Sequence, residues 1–222
     1  MCALAKAAIF DLDGVLLDTE PLYTQATTSV VAEFGKSYTW DLKRRIMGGS
    51  ALAGAELIVA ELELPISAAE YLRRRRVLLD QLLQVTVPID GAETLVQSLH
   101  AFGLRLAIAT SSERALFELK TRAHNWFSFF SASVCGDDPR LLNPKPAPDI
   151  FEMAAQELGV RSRDCVVFED SPAGVLGASR SGARVVARRD PAISAEELAP
   201  ADCVVDRYAD LPGPEKLLEL NR

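Results

Sequence analysis

From residue 104 onward, short apolar runs alternate with stretches of helical periodicity, and few folds accommodate that pattern. Leu104 to Ala109, Ala132 to Cys135, Cys165 to Phe168, Arg184 to Ala187 and Cys203 to Val205 read as strands. Helical spacing separates them at Glu113 to Arg122, Asp149 to Leu158 and Ala173 to Ser181, and another helix through Leu95, Val96 and Leu99 ends at Gly103. Apolar strands joined by crossover helices predict a mostly parallel sheet covered on both faces. The run Ala7 to Asp11, near the start, belongs to the same sheet. Between it and the rest lie four helical segments: Glu20 to Phe34, Thr39 to just before Gly48, Leu52 to Glu63, and one from Ser67 to Gln84. The expected organisation is an α/β core made of 1–17 and 87–222, with 18–86 inserted as an α-helical domain.

Length and composition agree with this and narrow the partners. A chain of 222 residues, 49% hydrophobic and 25% charged, is long enough to bury a large core and carries no bias toward disorder. The net charge of -7 argues against a nucleic-acid backbone as partner, which would need a basic footprint. The one basic run, Arg73-Arg74-Arg75-Arg76, has Glu70 and Asp80 beside it and reads as a solvated helix face. Cys2, Cys135, Cys165 and Cys203 are scattered without a CxxC pair, so neither zinc nor a disulfide framework is expected, and Cys135 and Cys165 read as buried apolar residues. No run reaches membrane-spanning length, and the N-terminus lacks a basic and apolar leader. A cytoplasmic monomer, without nucleic-acid or membrane partners, is the expectation.

In an open parallel sheet, ligands sit beyond the carboxyl ends of the strands. The first strand ends in Asp11-Leu12-Asp13-Gly14, the second in Thr110-Ser111-Ser112, and another in Glu169-Asp170-Ser171; Lys145 lies in a proline-rich loop before a helix. Taken singly, each has a plain structural explanation: Thr110-Ser111-Ser112 and Asp149 as helix caps, Glu169-Asp170-Ser171-Pro172 as a helix start, Lys145 as a loop lysine. Jointly they place three or four carboxylates, hydroxyls and a lysine around one point. Such carboxylates repel one another and call for a cation, and an all-oxygen donor set suits magnesium. Thr110 and Ser111, at the opening of a helix, suit an anionic oxygen, and Lys145 adds a point charge. A phosphoryl group meets both needs. One aspartate would attack phosphorus while the other, two residues on, moves protons at the leaving oxygen and the incoming water.

Asp11-x-Asp13-Gly14-Val15-Leu16-x-Asp18, Thr110-Ser111-Ser112, Lys145-Pro146-x-Pro148-Asp149 and Phe168-Glu169-Asp170-Ser171-x-x-Gly174 resemble, in order and spacing, the four signature motifs of the haloacid dehalogenase superfamily. The resemblance spans the chain. It implies a Rossmann-like core with a helical cap inserted after the first motif, and an enzyme that hydrolyses phosphomonoesters through an aspartyl-phosphate. Carried over residue by residue, it implies Asp11 as nucleophile and Asp13 as general acid/base, with Thr110, Ser111, Lys145 and Leu12 at the phosphate. It implies magnesium held by Asp11, Asp13 (through its carbonyl) and Asp170, with Glu169 in support. Glu20, Tyr23, Met47, Gly48 and Gly49 of the cap are candidates for the surface facing the leaving group of a small phosphorylated metabolite. Segments including Tyr38-Thr39-Trp40-Asp41, Lys120-Thr121, Phe127-x-x-Phe130 and Gly136-Asp137-Asp138-Pro139 resemble the pseudouridine-5'-phosphatase branch, which makes pseudouridine 5'-phosphate a candidate substrate. Trp40, Phe127 and Phe130 nevertheless read as core residues. The competing reading is a sugar-phosphate mutase of the β-phosphoglucomutase type. That enzyme has a histidine where this chain has Tyr23, and a cap arginine where it has Met47-Gly48-Gly49-Ser50, so hydrolysis is favoured. A non-catalytic binding protein would not need both Asp11 and Asp13.

Overall fold

The computed structural model describes residues 4–46, 51–191 and 193–218. The elements are, in order, β1 (Ala7–Phe10), α1 (Glu20–Ala32), α2 (Trp40–Ile46), α3 (Ala51–Glu61), α4 (Ala68–Leu82), α5 (Ala92–Ala101), β2 (Arg105–Ala109), α6 (Arg114–Thr121), β3 (Ala132–Val134), α7 (Asp149–Glu157), β4 (Cys165–Glu169), α8 (Pro172–Arg180), β5 (Arg184–Arg188), β6 (Cys203–Val205) and α9 (Pro214–Leu218). They group into two compact units, one of 1–18 and 86–222, the other of 19–85.

The larger unit is built on a six-stranded sheet of order β3-β2-β1-β4-β5-β6, every neighbouring pair parallel. Order runs outward from β1 through β2 to β3, then resumes on the opposite side with β4, so the reversal falls between β1 and β4. At such a reversal the loops leaving adjacent strands diverge and open a crevice. All four β1 residues are fully buried, as a central strand requires. Side chains of one sheet face, among them Phe10, Leu106, Ile108, Val166 and Phe168, join Ala92, Val96 and Leu99 of α5 in one core. Phe10 and Phe168 stack across β1 and β4 with centroids 4.5 Å apart, and Phe130 meets Phe10 edge-on. Helix α7 lies against β1, β2 and β3, and α8 against β4 and β5. Phe127 and Phe130 pack on the core as the sequence suggests, and Cys135 and Cys165 are buried thiols.

The smaller unit has its own apolar centre, formed by Val30, Val31, Leu42, Ala55, Ile58, Leu64 and Tyr71. Two expectations fail there in part. Trp40 is half exposed rather than in the core, because Leu42 takes the inward face of the short α2 and leaves Trp40 at the helix start, under the Lys43 ammonium at 5.1 Å. Of the arginine run, Arg73 and Arg74 bond Glu70, Arg74 also reaches Glu33, and Arg76 pairs with Asp80, an ordinary solvated pattern. Arg75 departs from it, lying over the Tyr23 ring at 5.3 Å.

Candidate active site

Every polar set singled out in the larger unit stands at the β1/β4 reversal or beside it. Asp11 follows β1 directly, and its N–H donates to Phe168 O of β4, which ties the first loop to the neighbouring strand end at 2.9 Å. The chain then turns sharply: Leu16 and Leu17 both donate to Leu12 O, and Gly14 donates to Leu17 O. Gly14 has φ of +79°, and a Cβ there would fall 1.9 Å from Asp170 Oδ2. Glycine is therefore what allows the Asp170 carboxylate to lie against the first loop. The Leu12 side chain is fully buried, so any ligand contact would come from its main chain.

Lys145 holds the centre. Its Nζ donates to Asp11 Oδ1 and Glu169 Oε1, each at 2.6 Å, and to Ala109 O at 3.0 Å. Glu169 is almost wholly buried, and its other oxygen accepts from the N–H of Asp170 and Ser171 and from the Ser171 hydroxyl. The N-cap of α8 is Ser171, which accepts from Gly174 N, with Pro172 opening the helix as the sequence suggests. Gly174 leaves room for Glu169, since a Cβ would come 1.9 Å from Oε1. Lys145 thus joins β1, β2 and β4 through one ammonium group.

The second loop differs from its sequence reading. Helix α6 starts only at Arg114, so Thr110-Ser111-Ser112 is neither its cap nor its opening. Thr110 Oγ1 accepts from Ser112 N and turns the loop back, while Arg114 N is satisfied by Asp137 Oδ1 from a neighbouring loop. Thr110 is buried and keeps its own O–H to donate, whereas Ser111 is exposed. Asp149 does not cap α7 either: Pro148 is the cap, and Asp149 Oδ1 accepts from the main chain and amide of Asn143.

Two residues outside the predicted set belong to this cluster. Ser112 Oγ donates to Asp13 Oδ2 at 2.8 Å, and Lys120 Nζ donates to Asp13 Oδ1 and Oδ2 at 2.6 and 2.8 Å. Lys120 is fully buried near the end of α6. The signal for it was present in the sequence: Lys120 falls three and four residues after Phe117 and Leu116, at a position where helical periodicity calls for an apolar residue.

The electrostatics follow from the packing. Four carboxylates, Asp11, Asp13, Glu169 and Asp170, share the ammonium groups of Lys145 and Lys120. Burial pushes the Asp11 carboxyl up to about 7 against the pull of Lys145, with Glu169 and Asp13 adding to the rise. Burial likewise raises Asp170 well above the usual carboxylate range, reinforced by Glu169 and Asp11. For Lys145 burial opposes the charge, but Asp11 and Glu169 outweigh it and hold its pKa above the ordinary lysine value. Fully ionised, the four carboxylates would exceed the two ammonium groups by two negative charges, the complement of a divalent cation. Among the described residues no three metal-ligating side chains stand together as a ready-made site. A donor set of two carboxylates and a main-chain carbonyl needs no such trio, and Asp11 and Asp170, members of the same buried cluster, are two carboxylates of the kind such a set uses.

The match to known proteins follows this geometry. Residues 5–182 match the family model for haloacid dehalogenase-like hydrolases. This chain is a haloacid dehalogenase-like hydrolase. The hydrolase is 43% identical over 206 residues to a Drosophila melanogaster protein named probable pseudouridine-5'-phosphatase, covering 91% of this chain and 89% of that one. It is 36% identical to (DL)-glycerol-3-phosphatase 2 of Arabidopsis thaliana over 213 residues, with 93% and 89% coverage. Among solved structures it superimposes on CbbY from Rhodobacter sphaeroides, crystallised with phosphate, with a TM-score of 0.79 and 27% identity, covering 95% and 97% of the two chains.

The cap candidates fall in the smaller unit or outside the described residues. Glu20 pairs with Lys43 at 2.9 Å, and Lys43 also bonds Thr24 Oγ1. Tyr23 lies under Arg75. Met47, Gly48 and Gly49 lie outside the described residues. Among the described residues no helix is long and apolar enough to cross a membrane.

Proposed function

We propose that this hydrolase is a magnesium-dependent phosphomonoesterase that cleaves a small phosphorylated metabolite by way of an aspartyl-phosphate on Asp11. The observation that carries this reading is the Lys145 ammonium held between Asp11 and Glu169 at the β1/β4 reversal, with Asp13 two residues away on a separate set of donors. An isolated loop carboxylate would not be given a buried counter-charge from 134 residues away.

In this mechanism Lys145 and the Thr110 hydroxyl hold phosphoryl oxygens, and Ser111 contributes from the rim of the loop, with the main chain at Leu12 beside the attacked phosphorus. An Asp11 oxygen attacks phosphorus and the bond to the leaving oxygen breaks, while Asp13 gives that oxygen a proton. Water then attacks the acyl-phosphate, Asp13 takes its proton, and phosphate leaves. Asp11, Asp170 and the Asp13 carbonyl would hold magnesium, which neutralises phosphoryl charge when bound. Glu169, whose oxygens are engaged by Lys145 and the start of α8, supports that set. Residues 19–85 serve as the cap that excludes water, with Glu20, Tyr23 and the 47–49 segment shaping leaving-group choice.

The names of its relatives favour a sugar- or nucleoside-like alcohol as leaving group, with pseudouridine 5'-phosphate the first candidate. The free, buried thiols of Cys135 and Cys165, whose pKa values burial pushes up to about 11 and 12, fit a reducing cytoplasm, and we take the protein to act there as a monomer. The test is phosphate release from a panel of sugar, glycerol, nucleotide and pseudouridine monophosphates with and without magnesium. Magnesium-dependent release that disappears in Asp11→Asn is expected; full activity in that variant would refute the reading.

A further inference from the structure

Lys120 is the buried charge that the scheme above leaves without a task. A fully buried lysine is costly unless paired, and an apolar residue of similar length would pack the same space more stably. The chain nevertheless places an ammonium there, at 2.6 and 2.8 Å from the two Asp13 oxygens and 2.8 Å from Ser112 Oγ. Ser112 Oγ closes the triangle by donating to Asp13 Oδ2. The Lys120 main chain is itself fixed, since the buried Thr86 hydroxyl donates to Lys120 O at 2.8 Å. A carboxylate on a flexible χ1 is thereby tied at both oxygens to two elements, the loop after β2 and the end of α6.

The two catalytic aspartates therefore have separate buried lysines. Lys145 serves Asp11, and Lys120 serves Asp13. We propose that Lys120, with Ser112, is the positioning residue for Asp13: it ties the carboxylate to the loop after β2 and the end of α6, through donors other than Lys145, so that Asp13 meets the leaving oxygen rather than competing with Asp11 for phosphorus. This rests on the acid/base role proposed for Asp13. Lys120 acts through Asp13 and not on the substrate.

Leaving-group dependence separates this from a packing role. The quotient kcat/KM covers only steps up to release of the leaving group. Protonation matters greatly for an alkoxide such as glycerol and little for p-nitrophenolate, so a displaced Asp13 should depress the glycerol phosphate to p-nitrophenyl phosphate ratio of kcat/KM. Lys120→Met should lower that ratio by about tenfold to a hundredfold, and Ser112→Ala by less, in the same direction, within the usual range of general-acid effects. Asp13→Asn should lower it at least as far, and adding Lys120→Met to Asp13→Asn should lower it no further. If Asp13→Asn leaves the ratio unchanged, the acid role of Asp13 fails and the positioning role with it. If Asp13→Asn lowers the ratio while folded Lys120→Met and Ser112→Ala keep the wild-type value, only the positioning role is overturned. Should Lys120→Met not fold, Ser112→Ala decides by the same criterion.

Discussion

Lys145 carries both the packing of the cluster and the phosphate-binding role proposed for it. Its ammonium is the compensating charge for two buried carboxylates, so removing it leaves Asp11 and Glu169 without their shared counter-charge. Breaking such a buried pair from one side costs about 3–5 kcal/mol before proton uptake relieves it. Lys145→Met should therefore lower the urea midpoint substantially with an unchanged m-value, and should also cut kcat/KM by at least about a hundredfold. Loss of activity with undiminished stability would mean that the lysine is not the keystone of the cluster. At this scale the sequence was informative where residues fall in order along the chain: Asp11, Asp13, Glu169 and Asp170 were legible from their strand-end positions, and Lys145 from its proline-rich loop before a helix. Ser112 and Lys120 were read only as parts of sequence motifs and given no role at Asp13, because their meaning depends on a contact across 99 and 107 residues. Trp40 was misread because an aromatic residue at a helix start has two faces available, and only packing decides which one is used.

At the scale of elements, the strand ends deliver the site and the helix starts brace it. The apolar runs and helical periods located each strand and helix of the sheet, since a central parallel strand can hardly be written otherwise. Which hydroxyl caps which helix was less legible. Ser171 caps α8 as read, but α6 takes its first donor partner from Asp137, a residue distant in sequence. Glycines at two helical positions make contrasting predictions. Gly174→Ala would push a methyl into the Glu169 carboxylate and disturb three hydrogen bonds, and should cost about 1–3 kcal/mol by thermal unfolding together with a large loss of activity. Gly54 in α3 meets its nearest neighbour, Ile46 Cβ, only at 3.5 Å, so Gly54→Ala should stabilise by about 0.5–1 kcal/mol. Equal effects of the two substitutions would contradict the close packing of Glu169 on α8.

For the whole molecule, the proposed mechanism has proton and magnesium competing for one cluster. Asp11 has an ordinary value of 3.8 and is raised to about 7 in the fold, and Asp170 is raised as well. A carboxyl with a raised folded pKa binds its proton more tightly when folded, so the stability of the metal-free protein falls as pH climbs from about 4 through about 7. At the proposed site, magnesium would replace the proton and reverse the penalty. The rise in Tm on adding magnesium is therefore expected to be small near pH 5 and larger near pH 8, read by calorimetry in matched buffers. A magnesium effect that is equal at both pH values would show that the cation binds elsewhere. The inserted unit of residues 19–85 was legible as a run of helices breaking the strand alternation, whereas the substrate-selecting role proposed for it rests on a surface that periodicity does not encode.

The central claim, that Asp11 becomes phosphorylated during turnover, can be tested at that atom. The Asp13→Asn protein, which should form the acyl-phosphate faster than it hydrolyses it, is mixed with magnesium and p-nitrophenyl phosphate, quenched in acid and reduced with borohydride, which converts a phosphorylated aspartate to homoserine. Peptide mass spectrometry should find homoserine at position 11 and aspartate at 170, with no conversion when magnesium is omitted. Unmodified Asp11 in a sample that has released p-nitrophenolate, or conversion at another residue, would contradict the mechanism.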